Sequence, residues 1–581
     1  MLPPSPAPDR HVALIAACAA AALPSLLAYN VAPSPTFLNQ ALAFALWAGF
    51  VVVSAPVAAH RGAAPLHAVL ALLAAAAIAS WGVALPSTLA LSTLGTLLAA
   101  AVLVAGGAGA RGRGGSAAVD LYAAFCWAWL LAGVLNAAVA GVQVFLPDWP
   151  DGDWVAVSGF PGRAVGNLRQ PNHLSSLLLW SCIAVVTLQE LGRLGRRAAA
   201  LLLAVLVFSV VLTASRTGLV SVLLLALWGG LDRRLSRPTR GLLLAAPLLY
   251  ALSWLAMAQW AALTQHSFGG AARLAESDLS SSRFGIWRDT LALIRQQPWA
   301  GVGWGEFNLA WTLTPSPHRP VAFFDHTHNL LLQFAVELGL PLAALVTGLL
   351  LWALWRGASQ AWRTPGELGT TQRSAMLVVA MIGLHSLLEY PLWYSYFLLP
   401  AAWAWGYALQ GDRGAAAAGE PAARGAPGVV LAALAVVAGT ALSVLDYARV
   451  AVIFSASGDA APLEQRIAAG QRSIFFGHHA DYAAVTSGAP PRDPEHAFDR
   501  AVHYLLDTRL MVAWARSLAQ TGHLDEARHL SERLREFRKE DAVEFYAPCP
   551  GAAVAAAPGL PFQCELPQRT PDWRQFVARP R

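Results

Sequence analysis

The chain has 581 residues, 56% of them hydrophobic and only 13% charged, with a mean hydropathy of +0.48. Soluble domains carry about a quarter charged residues, so the composition excludes a soluble globular enzyme. The net charge of +6 comes mostly from arginines in short loops and gives no reason to invoke nucleic acid.

Apolar runs long enough to cross a bilayer as helices are predicted near residues 11–30, 39–59, 66–84, 87–107, 120–146, 173–191, 198–214, 217–231, 241–263, 329–355, 374–392, 394–410 and 427–450. The first lacks a basic leader beyond Arg10 and is read as an uncleaved helix. Alternate loops are rich in arginine: Arg111 and Arg113, then Arg193, Arg196 and Arg197, then Arg233, Arg234, Arg237 and Arg240, then Arg356, Arg363 and Arg373, then Arg413 and Arg424. With the N-terminus inside, all of these loops are cytoplasmic, as the positive-inside rule requires. Residues 147–172, 264–328 and the tail from 456 then face outward.

Five blocks follow: N-terminal spans (1–119), a membrane core with a turn-rich outer loop at 147–172 (120–263), a larger outer loop (264–328), a second membrane core (329–455) and a soluble helical tail (456–581). Within the larger loop, 284–296 has the spacing of an interfacial helix. Pro298 ends it, and Gly301, Gly303 and Gly305 predict a flexible segment. Residues 411–426 read as a disordered loop. In the tail, Leu510 to Leu534 resembles one helix-turn-helix unit of the tetratricopeptide type, and 548–581 is expected to be extended. Cys549 and Cys564 would lie in an oxidising compartment and could pair. Cys18, Cys126 and Cys182 fall in spans as apolar fillers.

Polar side chains enter a bilayer at a cost and usually mark a function. Asn329, Gln333 and Glu337 are spaced four apart, on one helix face, directly after Asp325-His326-Thr327-His328. His385, Glu389 and Trp393 repeat the spacing. A neutral imidazole at His328 or His326 suits a general base for a hydroxyl acceptor, and no third ligand at a recognisable spacing points to a metal. Arginines on the outward side run against the charge rule. Arg216, in a tight reversal at Thr213–Thr217, is the strongest candidate for gripping phosphate oxygens. Arg163, Arg169, Arg283, Arg288 and Arg295 are further candidates, while Arg273 and Arg319 are read as contacts to lipid headgroups. Gln170-Pro171-Asn172 forms a helix entry, with Asn172 as cap.

The run Ser282-Arg283-Phe284-Gly285-Ile286-Trp287, then Pro298, Gly301-Val302-Gly303-Trp304-Gly305 and Phe307, then His326-Thr327-His328-Asn329 and Glu337-Leu338-Gly339, resembles the signature of the O-antigen ligase/polymerase superfamily. Gln170-Pro171-Asn172 and Ser215-Arg216 fit it too. The segment from His385 to Tyr394 resembles the branch of bacterial protein O-oligosaccharyltransferases that glycosylate pilins. The likeness spans roughly residues 120–410. It implies an all-α polytopic, GT-C-like fold of about 12–13 transmembrane helices in the bacterial inner membrane, with a periplasmic site and tail. It further implies en bloc glycan transfer from undecaprenyl pyrophosphate to Ser/Thr hydroxyls of periplasmic or pilin-like proteins, without cofactor, metal or nucleotide sugar. His328, or His326, would be the base or would orient the acceptor. Arg216 and Arg283 would neutralise the leaving group with help from Arg169 or Arg288. Arg163, Gln170, Asn172, Asn329, Gln333, Glu337, His385, Glu389, Tyr390 and Trp393 would line the substrates. The expected partners are a lipid-linked oligosaccharide, an acceptor protein and membrane lipids. Transfer to lipid A-core and polymerisation of O-antigen are the rival enzyme readings. An exporter or flippase is the rival of a different class, and it lacks the internal repeat expected of one.

Overall fold

The computed structural model describes residues 9–58, 61–270, 279–317, 319–411, 425–456, 458, 460–487, 494–549 and 560–576. Arg273, Arg413, Arg424 and residues 412–424 of the expected disordered loop lie outside these. Among the described residues the regular structure is helical, apart from one isolated bridge between Val57 and Gly425.

Each predicted apolar run coincides with a helix. These are α1 (Arg10–Leu26), α2 (Phe37–Val53), α3 (Ala64–Val83), α4 (Ser87–Gly112), α5 (Gly115–Phe145), α6 (Pro171–Glu190), α7 (Arg196–Leu212), α8 (Arg216–Leu231) and α9 (Arg237–Thr264). After α10 (Leu279–Gln296) and α11 (Phe307–Leu313) come α12 (Leu330–Arg363), α13 (Gly366–Ser386), α14 (Ser395–Leu409) and α15 (Pro427–Phe454). Among the described residues, α3, α4, α5, α6, α9, α12 and α15 are long and apolar enough to cross a membrane, and α1, α2 and α8 are shorter apolar helices. The chain is an all-α, multi-pass membrane protein.

The chain divides into two compact units. The first comprises Met1–Leu70, Gly95–Ser277 and Gly348–Leu442. At its centre is α6, buried from Pro171 to Gln189 and packed by α5, α7 and α13. Aromatic side chains fill its core, with the Trp129 and Trp180 rings 4.7 Å apart and those of Phe125 and Trp403 5.0 Å apart. Small residues let helices meet backbone to backbone. A Cβ added at Gly107 would stand 1.9 Å from the Trp403 carbonyl oxygen.

The second unit comprises Ala71–Leu94, Asp278–Thr347 and Ser443–Arg581. Its tail contains α16 (Leu463–Gly470), α17 (Gly477–Thr486), α18 (Pro494–Ala501), α19 (Thr508–Gln520) and α20 (Leu524–Glu536). The predicted helix-turn-helix is α19 and α20, joined through Gly522 at φ +86°, with Asp507 capping α19 through the Leu510 amide at 2.9 Å. Cys549 and Cys564 are joined by a disulfide.

The sequence suggested a separate outer loop and a separate tail. The structure instead packs Ile286, Phe307, Trp311 and Val336 with Leu510, Trp514, Leu530 and Phe537 in one core. Each segment has an apolar face, and the shared core covers both. The end of the chain differs from its extended expectation for the same reason: Trp573 and Phe576, in a 3-10 turn, are buried in this core. Arg319 also departs from its reading as a lipid contact. Its side chain is fully buried, donating from Nε to Glu536 at 2.7 Å and from Nη1 to the Trp311 carbonyl at 2.9 Å. The guanidinium lies 4.8 Å from the centroids of both the Trp311 and Phe537 rings.

Candidate active site

In the first unit the loop before α6 is organised by buried amides. Gln143 donates to the Ala156 carbonyl at 2.7 Å and accepts from the Val165 and Gly166 amides at 2.9 and 2.8 Å. Asn167 accepts from the Ala156 amide and donates to the Trp154 carbonyl, both at 2.9 Å. These bonds satisfy loop backbone that secondary structure leaves unpaired and fix the entry to α6.

That entry is capped by Gln170, whose Oε1 accepts from the Asn172 and His173 amides. Asn172 was the expected cap, but it sits inside the first turn because Pro171 already occupies the first helical position. Its side chain is therefore free to reach sideways. Nδ2 donates to Glu389 Oε1 at 3.1 Å, and Oδ1 accepts from the Ser215 hydroxyl at 2.7 Å. Ser215 Oγ in turn caps α8 through the Gly218 amide at 3.0 Å, and Ala214, at φ +49°, makes the tight reversal before it. Arg216 is thus the first residue of α8 and is exposed. A guanidinium there adds to the positive end of the helix dipole, an arrangement suited to an anion. Arg163 donates from Nε to the Thr213 carbonyl at 3.0 Å, behind the same reversal. Arg169, at φ +57°, precedes the Gln170 cap.

His385 is fully buried in the last turn of α13, with Nδ1 2.8 Å from Ser176 Oγ. The spacing of His385, Glu389 and Trp393 predicted one helix face. However, α13 ends at Ser386, and Pro391–Trp393 is a 3-10 turn, since Pro391 cannot continue the helical ladder. Glu389, buried, therefore turns to Asn172. Tyr390 is half-buried, 6.2 Å from the Tyr394 ring. Sequence reasoning passed over His173, whose Nδ1 lies 3.2 Å from the Tyr396 hydroxyl and whose ring is 5.9 Å from that of His385. Its place one residue after the amide-rich entry was the available signal.

In the second unit, Asn329 caps α12 by accepting from the Leu331 and Leu332 amides, both at 3.1 Å. Gln333 accepts from the Thr327 amide at 2.8 Å, and Glu337 from the Gly305 amide at 3.1 Å. The polar stripe is real, and its members hold main chain: Gln333 and Glu337 are buried and position loops. His328 stands at φ +55° between these anchors, its ring 5.3 Å from Phe324. His326 Nδ1 lies 2.9 Å from Asp325 Oδ1. Desolvation raises the Asp325 carboxyl, but attraction to His326 and their hydrogen bond prevail and hold it below its ordinary value. Trp287 on α10 donates to the Thr327 carbonyl at 2.9 Å, tying the helix that carries half-buried Arg283 and exposed Arg288 to the histidine segment.

The glycines at 301, 303 and 305 answer a different need from flexibility. Gly339, at φ +73°, kinks α12, and Pro341 has no amide to give. The Val336 and Glu337 carbonyls are left without helical partners and accept from the Val302 and Gly303 amides at 2.8 and 3.1 Å. The Leu340 amide donates to the Pro298 carbonyl at 2.7 Å. This exchange brings two backbones together so closely that a Cβ at Gly301 would lie 2.6 Å from the Glu337 carbonyl. Among the described residues, no group of three His, Cys, Asp or Glu side chains has the placement of a metal site.

Residues 199–347 match the family model described as O-antigen ligase. That segment is similar to the O-antigen ligase family over about a quarter of the chain. It contains Arg216, Arg283, His326, His328 and the Asn329–Glu337 stripe. Residues 164–188 match a model described as protein glycosylation ligase, which covers the Arg169–His173 entry. Residues 374–546 match the C-terminal model of a virulence factor membrane-bound polymerase, which covers His385 and Glu389. Among curated proteins, the chain is 30% identical over 256 residues to a general O-oligosaccharyltransferase of Acinetobacter baylyi, covering 42% of this chain and 43% of the relative. It is 28% identical over 261 residues to a ComP-specific O-oligosaccharyltransferase of the same organism, covering 43% and 44%. The aligned region thus spans less than half the length of these relatives.

Proposed function

We propose that the protein is an oligosaccharyltransferase of the bacterial inner membrane, moving a glycan en bloc from undecaprenyl pyrophosphate to Ser or Thr hydroxyls of periplasmic proteins. The observation that carries this reading is the Gln170–Asn172–Ser215 network, which lies in the glycosylation-ligase and O-antigen-ligase matches and fixes Arg216 at the exposed start of α8. The names of the two Acinetobacter relatives support a protein acceptor. In the reaction, the acceptor oxygen attacks the anomeric carbon as the bond to the pyrophosphate oxygen breaks. The hydroxyl proton passes to His328, or to His326 if that ring is the base. Arg216, with Arg169, is assigned in the first unit to offset the charge that develops on the leaving group, and Arg283 and Arg288 are the arginines of the second unit that suit the same task. This assignment gives guanidinium groups the task a metal performs elsewhere, so the proposed reaction requires no metal.

The loop arginines support a topology with 147–172, 264–328 and the tail in the periplasm. Alkaline phosphatase fused after residue 460 is expected to be active. A second reading, transfer to lipid A-core, draws on the O-antigen ligase match. Deletion of the gene separates the two readings. Loss of glycan from periplasmic proteins with intact lipopolysaccharide supports the protein acceptor, and the reverse outcome supports the lipid acceptor.

A further inference from the structure

We infer that the arginine-bearing end of α12 holds an anionic phospholipid by its phosphate. Trp352, Trp355, Arg356, Ser359, Gln360 and Arg363 line a cleft of about 370 Å³. Their spacing places them all on one face of the helix. Trp352 and Trp355 are 46% and 64% exposed, and Leu351, just before them, is 60% exposed. These indole rings therefore border an apolar surface that only lipid chains cover at low cost, while two guanidinium groups stand about one and three turns beyond Trp352. The Arg356 guanidinium is 5.9 Å from the centroid of the Trp352 ring, which restricts it before any ligand arrives.

Each chemical feature of the cleft has a counterpart in such a lipid. Arginine forks match phosphate oxygens with paired donors, the Ser359 hydroxyl and Gln360 amide suit a glycerol headgroup, and tryptophan settles at the depth of the ester groups. Basic pockets beside spanning helices on the anionic cytoplasmic leaflet are where such lipids collect. A free phosphate would use the arginines and leave the indoles and Leu351 without a role. A phospholipid uses both. The cleft is separate from the residues assigned above to transfer.

The test is native mass spectrometry of the full chain released from vesicles of phosphatidylcholine containing a minor share of phosphatidylglycerol. The wild type is expected to retain phosphatidylglycerol preferentially, and Arg356→Gln/Arg363→Gln to lower that preference by about tenfold or more. Arg356→Lys/Arg363→Lys keeps the charge and is expected to fall between them. If the Gln pair does not accumulate, the Lys pair and the wild type still decide. Three outcomes overturn the inference: no lipid preference in the wild type, an unchanged preference in the charge-removed variant, or displacement of the lipid by millimolar inorganic phosphate. Because retention is read without turnover, the result stands apart from the proposed transferase activity.

Discussion

Asn172 holds Glu389 on one side and Ser215 on the other, from a single amide at the start of α6. Three segments distant in sequence are thereby locked around one side chain, and the residue after Ser215 is Arg216. Asn172→Ala should leave a buried carboxylate and a capping hydroxyl each short of a partner. The expected cost is about 1–3 kcal/mol of stability. Transfer should fall more steeply than melting temperature, because Arg216 loses its fixed base. Parallel measurement of transfer rate and thermal unfolding in detergent checks this, and an unchanged rate in a destabilised variant would assign the network to stability alone.

Lysine offers charge without the paired donors of arginine. Arg216→Lys and Arg283→Lys should each lower turnover by about 10–1000-fold, corresponding to roughly 1.4–4 kcal/mol of lost transition-state stabilisation. The assay is transfer from lipid-linked glycan to a Ser-containing acceptor in reconstituted membranes. EDTA should leave the wild-type rate unchanged. Full activity in both variants, or inhibition by the chelator, would refute the leaving-group assignment.

His328→Ala should abolish transfer while insertion and protein level stay normal, since a half-buried imidazole at a loop position contributes little packing. His326→Ala should retain activity. Reversal of the two phenotypes would move the base to His326, and two active variants would remove histidine from the mechanism.

Arg319→Met should destabilise the second unit by about 1–3 kcal/mol, because it leaves the Trp311 and Thr314 carbonyls short of a buried donor, while Glu536 keeps Arg533 at 3.0 Å. Even Arg319→Lys should be costly, since a point charge cannot serve Nε and both terminal nitrogens together. Limited proteolysis of the folded chain reads the effect directly. Wild-type resistance in Arg319→Met would show that the clamp is dispensable.

Burial lowers His529, against the Leu313 carbonyl at 2.7 Å, and His479 each to about 4 from an ordinary value of 6.5. Between those limits the unfolded chain binds protons that the folded chain refuses. Stability is therefore full above pH 6.5 and is lost as pH falls toward 4. His529, fully buried, contributes on the order of 3 kcal/mol to that loss, and half-buried His479 contributes less. Melting temperature of the wild type and His529→Gln between pH 7.5 and 4.5 should converge at the acidic end.

The membrane helices were legible because each is an uninterrupted apolar run whose backbone has no other way to pair within a bilayer. The common helix face of Gln333 and Glu337 was legible from spacing alone. Long-range partners were not. Nothing local to Arg319 announces Glu536, and an unpaired outward arginine looks the same whether it meets a lipid or a distant carboxylate. Nor could sequence tell that Pro391 would end the His385 face, or that Gln170 rather than Asn172 would cap α6. The choice between two amides depended on which one Ser215 and Glu389 required. The Gly301–Gly305 segment misled for a related reason, since glycine marks mobility and close approach by the same lack of a side chain.

The core shared by Trp311 and Val336 with Trp514 and Phe537 constrains how the protein is made. Residues buried in one core end up on one side of the membrane, so the chain between them must cross an even number of times. The run α12 to α15 is compatible with that count. The loop is synthesised first and must wait, with its tryptophans uncovered, until the last helices have been inserted and the tail delivered. That core therefore cannot close before the tail has been delivered. A ribosome that stops before the tail is finished leaves an inserted but unclosed product, one that membrane proteases can distinguish from the finished protein.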